Sequence, residues 1–90
     1  MKNKKIFITG VAGFIGFHLS NYFLKKKGFL VFGIDNLNDY YSVALKKKRL
    51  SILKKNKNFS FKKVELENKK FLKKTIKNFK PYLIINLAAQ

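Results

Sequence analysis

The sequence predicts an α/β fold: a parallel sheet of four strands, in the order 3-2-1-4, with flanking helices. Three observations lead there. Strand-like and helix-like periods alternate along all 90 residues. The second strand-like run, FLVFGI, is nearly continuous in apolar residues, as expected when both faces of a sheet are covered. Evenly spaced glycines separate the first strand from the first helix, and alternating elements of this kind make parallel sheets with right-handed crossovers.

Taken in order, Lys5–Thr9 (KIFIT) is a short β-rich run closed by Gly10. From Gly13 the period becomes helical, with Ile15, Leu19, Tyr22 and Phe23 expected on one inward face. Lys25, Lys26 and Lys27 suit the helix C-terminus, and Gly28 stops it. Phe29–Ile34 (FLVFGI) is a second strand, followed by the Asn- and Asp-rich loop Asp35–Tyr41. Ser42 is placed to cap a helix to about Lys55, with Val43, Leu45, Leu50, Ile52 and Leu53 as its apolar set. Phe59–Leu66 (FSFKKVEL) is a third strand. Asn68 caps a third helix to about Asn78, with Leu72, Thr75, Ile76 and Phe79 inward. Pro81 blocks its continuation, and Tyr82–Leu87 (YLIINL) is a fourth strand of buried type. This is a Rossmann-like half-sheet, and residues 1–90 are expected to form the N-terminal part of one such domain.

The chemistry is carried by Gly10-Val11-Ala12-Gly13-Phe14-Ile15-Gly16, a G-x-x-G-x-x-G run between strand and helix. Gly10 permits the tight turn out of the strand. Gly13 removes a side chain where a diphosphate approaches the backbone, and Gly16 lets the helix pack closely on the sheet. The helix N-terminus then offers free N–H groups and a positive dipole end. A Gly-rich turn without a ligand is the bland alternative, and the strand-to-helix context weighs against it. Asp35 ends the second strand 19 residues after Gly16. A carboxylate there accepts hydrogen bonds from ribose hydroxyls and repels a 2′-phosphate, so NAD is the expected cofactor rather than NADP. Asn36 and Asn38 fit ribose contacts and ordinary turn residues equally well, and Lys46 is a further candidate for that neighbourhood.

Composition narrows the alternatives. The net charge of +17 raises a nucleic-acid reading. Yet 20 of the 21 basic residues are Lys, spread over every predicted helix, and only Arg49 offers a guanidinium. Lys, Asn, Ile and Phe make up 47 of the 90 residues, a bias that AT-rich coding produces by itself. A solvated lysine surface is the better reading, and no nucleic-acid partner is expected. With no cysteine, one histidine and four acidic residues, disulfides, thiolate chemistry and a metal cluster are not expected. The basic start and apolar run over residues 1–17 mimic a signal peptide, but no cleavage site follows and glycines interrupt the run. The run is also too short to span a membrane, so a cytoplasmic location and no membrane partner are expected.

The segments TGVAGFIGFHLS, GIDNLNDYYSVALKKKRL and KPYLIINLAAQ resemble successive signatures of the extended short-chain dehydrogenase/reductases, over nearly the whole chain. The DNLNDYY-x-x-x-LK-x-x-RL run is similar to the UDP-glucuronate 4-epimerase branch. The resemblance implies NAD as cofactor, with Phe14 and Ile15 beside the diphosphate through their backbone. Glu65 and Leu66 stand where the family has Asp-Leu near the adenine. Leu87, Ala88 and Ala89 match the segment that runs alongside the cofactor at the end of the fourth strand, while Asn86 replaces a His common in relatives. No role is attached to Val11.

The resemblance further implies an enzyme that takes hydride from C4 of a UDP-sugar, through a 4-keto intermediate, and returns it to the other face. Other nucleotide-sugar epimerases and sugar-nucleotide 4,6-dehydratases are close alternatives. A non-catalytic dinucleotide-binding module and a basic nucleic-acid-binding protein are more distant ones. The family's Ser or Thr and its Tyr-x-x-x-Lys pair lie beyond residue 90, as do the helices through which relatives form homodimers. The chain therefore reads as an N-terminal piece without catalytic residues, and the 90 residues alone are expected to be inactive. One decoy, Tyr22-x-x-x-Lys26, lies on the first helix and reads as a core tyrosine with a surface lysine. His18 reads as a structural histidine, and Asp35 with Asp39 as turn residues rather than a carboxylate pair.

Overall fold

A computed structural model describes residues 4–38 and 42–88. Four strands, β1 (Lys4–Thr9), β2 (Phe29–Asp35), β3 (Phe59–Lys63) and β4 (Leu83–Asn86), alternate with helices α1 (Phe14–Leu24), α2 (Val43–Lys54) and α3 (Lys69–Phe79). The sheet is parallel, in the order β3-β2-β1-β4. The chain thus steps outward from β1 to β2 and β3, then returns across to the other side of β1. With right-handed crossovers, this reversal places α1 and α2 on one face of the sheet and α3 on the other.

Side-chain alternation along β1 follows. Ile6 and Ile8 join Val31, Leu24, Leu50, Leu53 and Phe59 on the α1/α2 face. Phe7 joins Ile34 and Val64 on the α3 face, with Phe32, Leu72 and Phe79 packed around them. The apolar runs of β1 and β2 are continuous because both faces of these strands are covered, and β1 is the buried centre.

Several elements depart from expectation, each for a packing reason. The buried residues of α1 are Gly16, Ser20 and Leu24, with Phe17 and Phe23 half-buried against the core. Ile15 and Tyr22 are 62% and 55% exposed, so the true contact stripe is rotated from the predicted one. It is centred on the small residues, because they let the helix axis come close to the sheet. On α2, Lys46, Leu50 and Leu53 are buried, whereas Leu45 and Ile52 are exposed. On α3, Thr75 is buried and Ile76 exposed.

Strand β3 ends at Lys63 rather than Leu66, because its last partner on β2 is Asp35 and the chain turns there, with Val64 N donating to Asp35 O at 3.1 Å. Strand β4 pairs only with β1 among the described residues, and its Leu83 and Ile84 are exposed, not buried.

Candidate functional site

The carboxyl ends of β1 and β4 flank the point where the strand order reverses, which is where open α/β sheets form a crevice. A cavity of about 480 Å³ lies there, within the range of small-molecule sites. Gly10, Gly13, Phe14, Asp35, Asn36, Asn38, Leu66, Leu87 and Ala88 line it, and so do Lys46, Arg49 and Glu67. Ile15, Gly16 and Glu65 do not line it, and Ala89 and Asp39 lie outside the described residues.

The glycine loop is held from several sides. Gly10 has a φ of +73°, and a Cβ there would stand 2.8 Å from the Ala88 nitrogen. This close approach lets the loops after β1 and β4 meet. The Thr9 hydroxyl knits the same junction: it donates to Asn86 Oδ1 and accepts from Leu87 N at 3.1 Å. At Gly16 a Cβ would fall 2.4 Å from Gly10 O, so only glycine lets α1 start this close to the loop. Val11 is fully buried, and its side chain fills the space over Gly33 where a Cβ would stand, 2.5 Å from Val11 Cγ2. Val11 therefore has a packing role, pressing the loop onto β2, that the sequence did not disclose.

Gly13 differs from the others. Its φ is −72°, open to any residue, and a Cβ there would meet one atom, Gly10 O, at 3.3 Å. A Cβ at this position, which lines the cavity, is therefore tight against one backbone atom but not barred as it is at Gly10 and Gly16. Gly13 is also the N-cap of α1, with no side-chain cap and no acidic residue in the first turn. The first-turn N–H groups have no intrahelical partner. The other two helices are capped, α2 by Ser42 Oγ accepting from Leu45 N and α3 by Asn68 Oδ1 accepting from Phe71 N, each at 3.1 Å.

Opposite this open terminus stands Asp35, 9% exposed at the end of β2. Its Oδ2 accepts from Ala12 N at 3.0 Å and its Oδ1 from Leu37 N at 2.8 Å. These bonds fix the carboxylate and bend the following loop, where Leu37 takes a φ of 55°. Each oxygen keeps a second lone pair for a ligand donor. Asn36 Nδ2 donates to Glu65 Oε2 at 3.2 Å, an exposed contact that ties Glu65 to the rim. Lys46, only 8% exposed, donates from Nζ to both Asn38 O and Asn38 Oδ1 at 3.0 Å.

The decoys fall elsewhere. Tyr22 is on the surface of α1 with Lys26 Nζ 4.8 Å from its ring centroid, so it is an exposed tyrosine rather than a core one, and neither residue lines the cavity. His18 is exposed too, with its ring edge-on to Phe14 at 4.6 Å. Among the described residues no cluster of His, Cys, Asp and Glu could hold a metal ion, and no helix is long and apolar enough to cross a membrane.

Known proteins share this arrangement. The family model described as GDP-mannose 4,6 dehydratase matches residues 7–90. Protein CapI of Staphylococcus aureus is 51% identical over 86 residues, covering 96% of this chain and 25% of that protein. A UDP-glucuronate 4-epimerase of Thermodesulfobacterium geofontis is 46% identical over 83 residues, covering 92% of this chain and 25% of its own. The Bacillus cereus UDP-glucuronic acid 4-epimerase, solved with UDP-glucuronic acid and NAD, superposes with a TM-score of 0.84 at 34% identity. That match covers 94% of this chain and 26% of the solved one, so the chain spans about a quarter of the length of these relatives. A shared sequence over almost every residue, on a shared fold, places this chain in the GDP-mannose 4,6 dehydratase family of NAD-dependent epimerases and dehydratases.

Proposed function

We propose that the cavity at the end of β1 binds NAD, and that the chain is the cofactor-binding part of a nucleotide-sugar epimerase acting on UDP-glucuronate. The observation that carries the reading is Gly13: a glycine at the uncapped start of α1, facing the cavity, where a Cβ would be crowded by one backbone oxygen but not barred. A diphosphate approaching those N–H groups is the reason for a missing side chain there. Asp35 would take the adenosine ribose hydroxyls on its remaining lone pairs, with Asn36 and Asn38 beside it. The backbone at Phe14 and Ile15 would face the diphosphate, although the Ile15 side chain points away from the cavity. Leu66 would border the adenine, with Glu65 at the rim. Leu87 and Ala88 would run alongside the rest of the cofactor.

Bound NAD supplies a reversible hydride acceptor, which is what inversion at C4 of a UDP-sugar requires. The contribution of these residues is to bind and orient that group. The relatives named above support UDP-glucuronate as substrate, and the matched family description keeps a sugar-nucleotide 4,6-dehydratase as the second reading.

Calorimetric titration of the purified protein with NAD⁺ tests the cofactor reading. Saturable binding that Gly13→Val and Asp35→Ala each weaken at least tenfold, about 1.4 kcal/mol, is the expected result. Undiminished binding by both variants would sink it.

A further inference from the structure

We propose that Arg49 is a positioning residue for the diphosphate loop: its guanidinium holds the Ala12–Gly13 peptide in the orientation that aims the α1 N-terminus into the cavity. This rests on the cofactor reading above and assigns a role to a residue outside the glycine motif.

The peptide between Ala12 and Gly13 is gripped at both ends. Arg49 Nη1 donates to Ala12 O at 3.1 Å, from α2, 37 residues away in sequence. The Gly13 N–H on the same peptide donates to Gly10 O at 3.1 Å. One step earlier, Ala12 N donates to Asp35 Oδ2. A planar peptide fixed at its carbonyl and its N–H cannot rotate, and the direction of Gly13, the helix N-cap, is set by it. Arg49 Cζ also lies 6.0 Å from the Phe14 ring centroid, so the side chain spans the loop from Ala12 to Phe14 and brackets Gly13.

Two further facts separate this residue from an incidental surface contact. Arg49 is half-buried and lines the cavity, so its guanidinium charge faces the same space as the helix N-terminus. It is also the single Arg in a chain with 20 Lys. A planar fork that reaches a fixed carbonyl while presenting further N–H groups is something a lysine does not reproduce.

If Arg49 acts on the loop that faces the diphosphate, its removal must harm phosphate-bearing ligands and spare the nucleoside. The test is titration of wild type, Arg49→Met and Arg49→Lys with adenosine, ADP and NAD⁺, with folding checked by circular dichroism. The expected result is a loss of about tenfold or more for ADP and NAD⁺ in Arg49→Met, from one charge-assisted hydrogen bond, with adenosine affinity within twofold of wild type. Arg49→Lys keeps the charge and should fall between the two; if Arg49→Met does not fold, the same comparison on Arg49→Lys decides. Unchanged ADP affinity, or an equal loss for adenosine and ADP, overturns the proposal while leaving the cofactor reading intact. A wild-type protein that binds neither ADP nor NAD⁺ overturns the cofactor reading itself.

Discussion

Val11 and Gly33 form an interlocking pair, and their energetics can be worked out from the geometry. Val11 is fully buried, and a Cβ on Gly33 would come within 2.5–2.6 Å of its Cβ, Cγ1 and Cγ2. Val11→Ala removes two buried methyl groups, about 1.5 kcal/mol of transfer free energy. The cavity left under the loop brings the cost to about 2–3 kcal/mol. Gly33→Ala forces a carbon into occupied space, an overpacking cost of about 1–3 kcal/mol. The double variant relieves the contacts with the two Val11 γ-carbons but keeps the one with Cβ at 2.6 Å, so part of the overpacking cost remains and the total should fall about 1 kcal/mol below the sum of the singles, beyond the scatter of independent sites. Urea unfolding of the four proteins measures this. Thermal midpoints should move by roughly 4–8 °C per kcal/mol in a domain of this size. Additive single effects, within about 0.5 kcal/mol, would refute the claim that Val11 seats the glycine loop on β2.

Three other outcomes follow from single sites. Asp35→Asn keeps an acceptor and removes the charge; with Lys46 and Arg49 lining the same cavity, NADP⁺ affinity relative to NAD⁺ should rise about tenfold, read by competitive titration. Ser20 is fully buried and its hydroxyl has no hydrogen-bond partner among the described residues. Ser20→Ala should therefore be neutral or stabilise by up to about 1–2 kcal/mol in denaturant unfolding. Lys80 closes α3 in the left-handed region, with φ 52°, so Lys80→Gly should raise stability by up to about 1 kcal/mol in the same assay.

Sequence and structure agree most where chemistry constrains residue type. The order β3-β2-β1-β4 follows from alternating elements and crossover handedness, and Gly10 and Gly16 are glycines because their Cβ atoms would strike backbone. Ser42 and Asn68 cap where a short polar residue precedes a helical run.

Helix rotation was less legible. In α1 almost every residue is apolar or small, so hydrophobic periodicity does not choose between the Ile15–Tyr22 stripe and the Gly16–Ser20–Leu24 stripe. Close packing on the sheet chooses the smaller one. Strand β3 was read too long because Val64 and Leu66 are apolar, yet they pack beneath the cavity as a turn. Arg49 was legible as the lone guanidinium, but its contact with Ala12 spans 37 residues and no local pattern encodes it. The Val11–Gly33 fit is likewise a meeting of two segments.

The most direct test of a dinucleotide site at the end of β1 is to follow backbone amide resonances during NAD⁺ addition to the isotope-labelled protein. The largest shifts should fall on Gly10, Gly13, Phe14 and Ile15, on Asp35 through Asn38, and on Leu87 and Ala88. Shifts confined to the lysine-bearing surfaces of α2 and α3, with the glycine loop unmoved, would contradict it.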